Sequence, residues 1–199
     1  MTTEHRHVIT RFQATATLIL LLLASACLAQ DAWPDSLRFG LAKAKEIAAA
    51  PTVIAAVEEQ NRLNHQLDPA EIQALDERWR AQYGKSNADL ITLMMETPLS
   101  DFLRTLHLRE KGVITEIIVM DNQGLNAGQS AITTDLWQGD ELKWEKTFLA
   151  GPGAYYASPV RHDDSTGVWQ IQVSYTISND AGNAIGAVTV GVALSEFGE

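Results

Sequence analysis

The segment Asp135–Trp144 holds the densest set of groups able to grip a small molecule. It places two indoles, Trp137 and Trp144, among three carboxylates, Asp135, Asp140 and Glu141. An aromatic face attracts a cation through its quadrupole, and a carboxylate adds a charge-assisted hydrogen bond. Trp137 and Asp140 are therefore the first candidates for contact with a cationic ligand. The same letters also suit an amphipathic helical turn, with both indoles packed inward and Asp140 capping near Lys143.

Gly151–Pro159 offers a second set. Its glycines let backbone approach a ligand, and strand period sends Tyr156 and Ser158 to one face and Tyr155 to the other. The competing reading is a plain loop and edge strand. The Gly-x-Gly there lacks a third glycine and a following helix, so it is no dinucleotide site. Tyr175 shares a strand face with Trp169, Ile171 and Val173, which suits a core position or a pocket wall. Arg161 presents a planar guanidinium to a ligand carboxylate, or answers Asp163 or Asp164 at the surface. His162–Gly167 lacks the alternating oxygen ligands of a calcium loop and reads as a turn.

Catalytic signatures are missing: there is no Gly-x-Ser-x-Gly, phosphate-binding loop or His-Glu-x-x-His. His65, His107 and His162 lie far apart in the sequence. The expectation is reversible binding through Trp137, Asp140, Tyr156, Ser158, Tyr175 and Arg161, with no catalytic residue, metal or cofactor.

The elements that position these groups fall in two halves. Leu37, Leu41, Ala44, Ile47 and Ala48 recur at helical spacing behind Pro34, and Pro51 interrupts the pattern. A second stripe runs Val53, Ile54 and Val57 towards Leu63. Asp68-Pro69-Ala70-Glu71 starts a third helix, with Ile72, Leu75 and Trp79 on one face and Gly84 as its stop. Ser86–Glu110 reads as short helices, one marked by Leu90, Leu93 and Met94 and one opened by Pro98. From Val113 the period becomes that of strands. Val113–Met120, a turn at Asp121–Gly124 and Ala127–Ile132 form one pair. Trp169–Ile177, a turn at Asn179–Asn183 and Ile185–Leu194 form a long hairpin. Helices followed by strands predict one α+β domain.

Arg6, Arg11 and the uncharged run Ala14–Ala26 have the layout of a secretory leader, so residues 1–29 are expected to be removed and 30–199 to form the domain. Losing Arg6, Arg11 and Glu4 takes the net charge from −10 to −11. Such acidity excludes nucleic acid as a partner, since binding there needs clustered Lys and Arg. Cys27 is the only cysteine, which excludes an internal disulfide. Its place beside the cleavage point leaves lipidation of Cys27 as an alternative to a free mature chain, and only that alternative supplies a membrane contact.

Three motifs in order carry a family likeness: Val119–Gly124, Thr134–Glu141 and Asn179–Gly186. With the helices ahead of them, the chain over 32–194 resembles the PDC/Cache family of PAS-like extracytoplasmic sensor domains. That resemblance implies a five-stranded antiparallel sheet with a long N-terminal helix along one face. It also implies a small ligand (amino acid, amine or carboxylate) held on the other face, in the periplasm or outside the cell. Because the sequence ends five residues past the last strand, the expectation is a module that signals through a membrane-bound signalling or transport partner. Two alternatives come from other classes. One is an envelope interaction module whose pocket its own side chains fill. The other is a small ketosteroid-isomerase-like enzyme with an Asp base and a Tyr donor.

Overall fold

The structure is a computed structural model and describes residues 34–163 and 167–198. The expected leader, with Arg6, Arg11 and Cys27, lies outside the described residues, as do Asp164, Ser165 and Thr166.

Among the described residues five helices come first: α1 (Asp35–Ala48), α2 (Pro51–Asn64), α3 (Pro69–Gln82), α4 (Asp89–Met95) and α5 (Pro98–Arg109). Pro51 does not kink a long helix. It opens a new one, at a position whose N–H has no helical partner to lose. Asp68 caps α3 as its sequence predicts. Its carboxylate accepts from the N–H groups of Ala70 (2.8 Å) and Glu71 (2.9 Å), while Glu71 reaches back to the Asp68 N–H. Thr97 accepts from Ser100 N–H at the head of α5. Among the described residues, no helix is long and apolar enough to cross a membrane.

The second half forms β1 (Ile114–Met120), β2 (Asn126–Gln129), the one-turn helix α6 (Leu142–Glu145), β3 (Tyr155–Ala157), β4 (Arg161–Asp163), β5 (Val168–Ser178) and β6 (Ala184–Ala193). All pairings are antiparallel, in the order β2-β1-β6-β5, with β3 and β4 both paired to β5. The expected five-strand sheet is thus five ranks wide, its last rank split around Pro159, which has no N–H to give a ladder. The observed β2 is shorter than the expected strand Ala127–Ile132, because the chain leaves the sheet to form the strap described below.

Side-chain alternation gives the sheet two faces. Ile117, Val119, Val173, Ile177, Val188, Val190 and Val192 point to α1, α2 and α5 and are buried there with Leu41, Ile47, Val53, Leu99 and Leu103. Each such side chain contributes roughly 1.5–3 kcal/mol relative to exposure. Trp169 departs from its expected inward face. It lies at the start of β5, 59% exposed, against the edge of His162. Leu63 and Leu93 are also exposed: the stripe of α2 stops short of Leu63, while in α4 Leu90 and Met94 pack inward and Leu93 faces out. A satellite core of Trp79, Ile91, Leu125 and Leu136 joins α3 and α4 to the sheet edge. On the sheet's other face, Ile118, Met120 and Ala187 pack under Trp144 and Phe148 of the α6 region.

Candidate functional site

The sheet face away from the long helices changes from apolar to polar towards one end. Ile118 and Met120 are covered by Trp144, whose indole donates to the Asp121 carbonyl (3.0 Å) and stacks with Phe148. Beyond them Glu116 of β1 and Gln170 and Gln172 of β5 form the floor of a cleft of about 600 Å³, with Thr115 hydrogen-bonded to Gln170. That volume falls within the range of small-molecule sites.

The floor depends on Gly191 of β6, which lies opposite both Glu116 and Gln172. A Cβ there would come within 2.9 Å of Glu116 Cγ and 3.0 Å of Gln170 Oε1. With none, Gln172 Nε2 donates to Glu116 Oε1 across the central strand at 2.7 Å, and Thr115 Oγ1 donates to Gln170 Oε1. A register shift between Ile114 and Glu116 helps bring the two neighbouring β1 side chains to this polar floor.

One wall is a strap, residues 131–141. It is tied to the β1–β2 turn by Asn126 N–H to Leu136 carbonyl (2.9 Å) and Gln138 N–H to Gly124 carbonyl (2.7 Å). Gly124 has φ +83°, and a Cβ on it would lie 2.5 Å from Gly139 Cα, so the turn can approach the strap because Gly124 has no side chain. Thr133, Thr134, Asp135, Gln138 and Glu141 of this strap line the cleft. Gln138 is fully buried. Its Nε2 donates to Asp135 Oδ1 (2.7 Å), and its Oε1 has no hydrogen-bond partner. Lys143 of α6 adds a cation whose side chain is 8% exposed, 3.2 Å from Glu141 Oε2. The opposite wall is the split edge of the sheet, with Ser158, Arg161 and His162. Ser158 joins its two halves: its N–H donates to the Gln172 carbonyl (2.8 Å) and its Oγ accepts from Gln172 N–H (2.9 Å). Tyr83 and Ile132 complete the rim.

Of the six residues singled out in the sequence, Ser158 and Arg161 line this cleft. The other four do not. Trp137 is half-buried in the satellite core, its indole N–H donating to the Gln123 carbonyl at 2.8 Å. Asp140 is exposed on the strap, and α6 begins after Glu141 without a side-chain cap. Tyr156 pairs with Ser174 on the polar face of the sheet, beyond the cleft lining. Tyr175 points to the helix face, where its ring lies 5.6 Å from Lys45 Nζ. Glu116, Gln138, Lys143, Gln170 and Gln172 escaped the sequence reading. Glu116 had a signal, as the one charge in an apolar strand, and the glutamines are the polar half of the alternation in β5.

The cleft can bind both signs of charge: Glu116, Asp135 and Glu141 accept, and Lys143 and Arg161 donate. Among the described residues no group of three or more metal-ligating side chains converges. The arrangement is a polar cleft of mixed charge and small-molecule size on an α+β sheet. No family model and no curated protein matches the sequence. Solved structures that resemble it at low identity include extracellular, sensor and ligand-binding domains. One is the extracellular domain of a protein described as a histidine kinase, rpHK1S-Z16, at 17% identity over 55% of this chain and 47% of that one, with a TM-score of 0.43. The sensor domain of the Vibrio cholerae histidine kinase DctB follows at 14% identity, 73% and 52% coverage and a TM-score of 0.40. The ligand-binding domain of the Campylobacter jejuni chemoreceptor Tlp3, in complex with 4-methylisoleucine, shows 13% identity, 82% and 62% coverage and a TM-score of 0.39. The chain spans about half the length of the first two.

Proposed function

We propose that the chain is a sensor-type module that reversibly binds a small polar metabolite, an amino acid or a related amine or carboxylate, in the cleft between sheet and strap. The observation that carries this reading is the pairing of opposite needs across one cleft. Gln138 Oε1 is a buried acceptor without a donor, in a cleft also lined by the carboxylates Glu116 and Asp135. A group left so is destabilising until a ligand N–H or O–H reaches it. Lys143 and Arg161 supply cations for the other end of the same molecule, and Ser158 adds a hydroxyl.

The space at the cleft is inconsistent with a pocket filled by its own side chains, which weakens the interaction-module reading. An isomerase-like site would want a buried carboxylate facing a tyrosine. The most buried carboxylates, Asp76 and Asp121, lie outside the cleft lining and are occupied by N–H donors. The leader-like residues 1–29 support a place outside the cytoplasm, with a membrane-bound signalling or transport partner.

The test is a thermal-shift screen with ethanolamine, L-serine, L-glutamine, L-lysine and succinate at millimolar concentration. Compounds carrying both an amine and a carboxylate are expected to shift Tm most. A binder at about 100 times its Kd adds ~2.7 kcal/mol. A panel that moves nothing defeats the reading.

A further inference from the structure

On the inward face of α3, Asp76 stands between Leu75 and Trp79, where helical periodicity calls for an apolar residue. It is 7% exposed. A carboxylate so placed is costly unless hydrogen-bond donors surround it. Asp76 is saturated, and two of its donors belong to the strap. Its Oδ1 accepts from the backbone N–H groups of Leu136 (2.8 Å) and Trp137 (3.0 Å), and its Oδ2 from Arg80 Nε (2.7 Å).

Two further contacts repeat the link. One turn along α3, the fully buried Trp79 donates its indole N–H to the Thr133 carbonyl at 2.8 Å. Arg80 also lies 3.7 Å from Asp135 Oδ2. The clamped positions 133, 136 and 137 therefore bracket the lining residues Thr134 and Asp135 and adjoin Gln138. Among the described residues, the strap has no strand pairing of its own apart from the bridge Leu125↔Trp137.

We propose that Asp76 is a positioning residue of the ligand site. Its carboxylate holds the Leu136–Trp137 backbone and so fixes where Asp135 and Gln138 present their polar atoms to the cleft. An ionised acceptor does this better than a neutral one, because charge-assisted hydrogen bonds to backbone N–H are shorter and stronger. The inference rests on the cleft being the ligand site, but its main test needs no ligand.

Amide hydrogen exchange is measured on the full chain for the wild type, Asp76→Asn and Asp76→Ala. Asp76→Ala is expected to speed exchange of the strap, residues 131–138, by about tenfold, with the β6 amides unchanged. Asp76→Asn keeps a neutral acceptor for the two N–H groups and is expected to recover part of the protection. Strap exchange unchanged in Asp76→Ala overturns the proposal, as does an equal rise in β6, which would mark a general loss of stability. Binding of L-glutamine by calorimetry forms a second arm, expected to weaken about tenfold in Asp76→Ala and less in Asp76→Asn. If the wild type binds none of the five screened compounds, the ligand-site reading falls. The exchange result then still decides whether Asp76 holds the wall.

Discussion

Glu116 and Gln172 are 56 residues apart in the chain and meet at 2.7 Å across a third strand, over the bare backbone of Gly191. Side chains on strands two ranks apart do not normally touch, since the intervening residue occupies the space between them. Here the missing Cβ leaves room for the two side chains to meet over the central strand, and both line the cleft.

Filling that floor is expected to abolish binding. Gly191→Val places a branched side chain against Thr115, Glu116 and Gln170 and should cost about 1–3 kcal/mol by overpacking. Urea denaturation reads the stability, and the thermal-shift panel reads the site. Glu116→Gln keeps the shape and removes the charge. It should reduce the response to ethanolamine and L-lysine while sparing succinate. Equal responses from wild type and Glu116→Gln would remove Glu116 from the site.

Lys143 is expected to matter for ligand more than for fold. Its partner Glu141 keeps 41% of its side chain exposed, so losing the cation leaves that carboxylate hydrated. Lys143→Met should therefore leave stability within about 1 kcal/mol of wild type, because burying an ammonium offsets most of the gain from the pair. Succinate and L-glutamine should lose their thermal shift in this variant. A retained shift would show that the carboxylate binds elsewhere.

Asp121 is expected to be structural. The carboxylate is fully buried and accepts from Gln123 N–H (2.8 Å), Leu125 N–H (2.9 Å), Gln60 Nε2 (3.1 Å) and Asn64 Nδ2 (3.0 Å). It joins α2 to the β1–β2 turn that supports the strap. Asp121→Ala leaves several donors unpaired and should cost about 3–5 kcal/mol in a urea titration, with Asp121→Asn costing less. A loss below about 1 kcal/mol would refute this assignment.

His107 should give the fold a weak acid sensitivity. Burial lowers its pKa from 6.5, and its Nδ1 lies 3.0 Å from Ser130 Oγ, which in turn accepts from Ile117 N–H in β1. Ser130 Oγ thus links the imidazole to the β1 backbone. Above pH 6.5 neither folded nor unfolded chain holds the proton, and the full stability is present. As pH falls from there towards the lowered folded value, the unfolded state gains the proton first and stability drops. Urea midpoints at pH 7.5 and 5.5 should separate by less in His107→Gln than in wild type. Equal separations would show that His107 does not contribute.

Much of the frame was legible in local patterns. The Asp68–Glu71 capping box, Pro51 and Pro98 at helix starts and the alternation of β5 and β6 each depend on neighbours a few residues away. The site was less legible, because its residues carry no local signature. Trp137 and Tyr175 looked suited to a ligand by type, yet one indole is committed to the Gln123 carbonyl and the other ring lies on the helix face. Asp76 was passed over within a helical stripe, since its partners lie 60 and 61 residues away.

The sequence alone determined an α+β chain of capped helices followed by strands, because capping and periodicity are short-range properties of the backbone. It also determined which face of β5 is polar. Only the tertiary structure decided that this face, Glu116, the strap and Lys143 surround one cleft. Sheet order and the bare position at Gly191 bring them together, and strand pairing between distant segments is set by the packing of the whole domain.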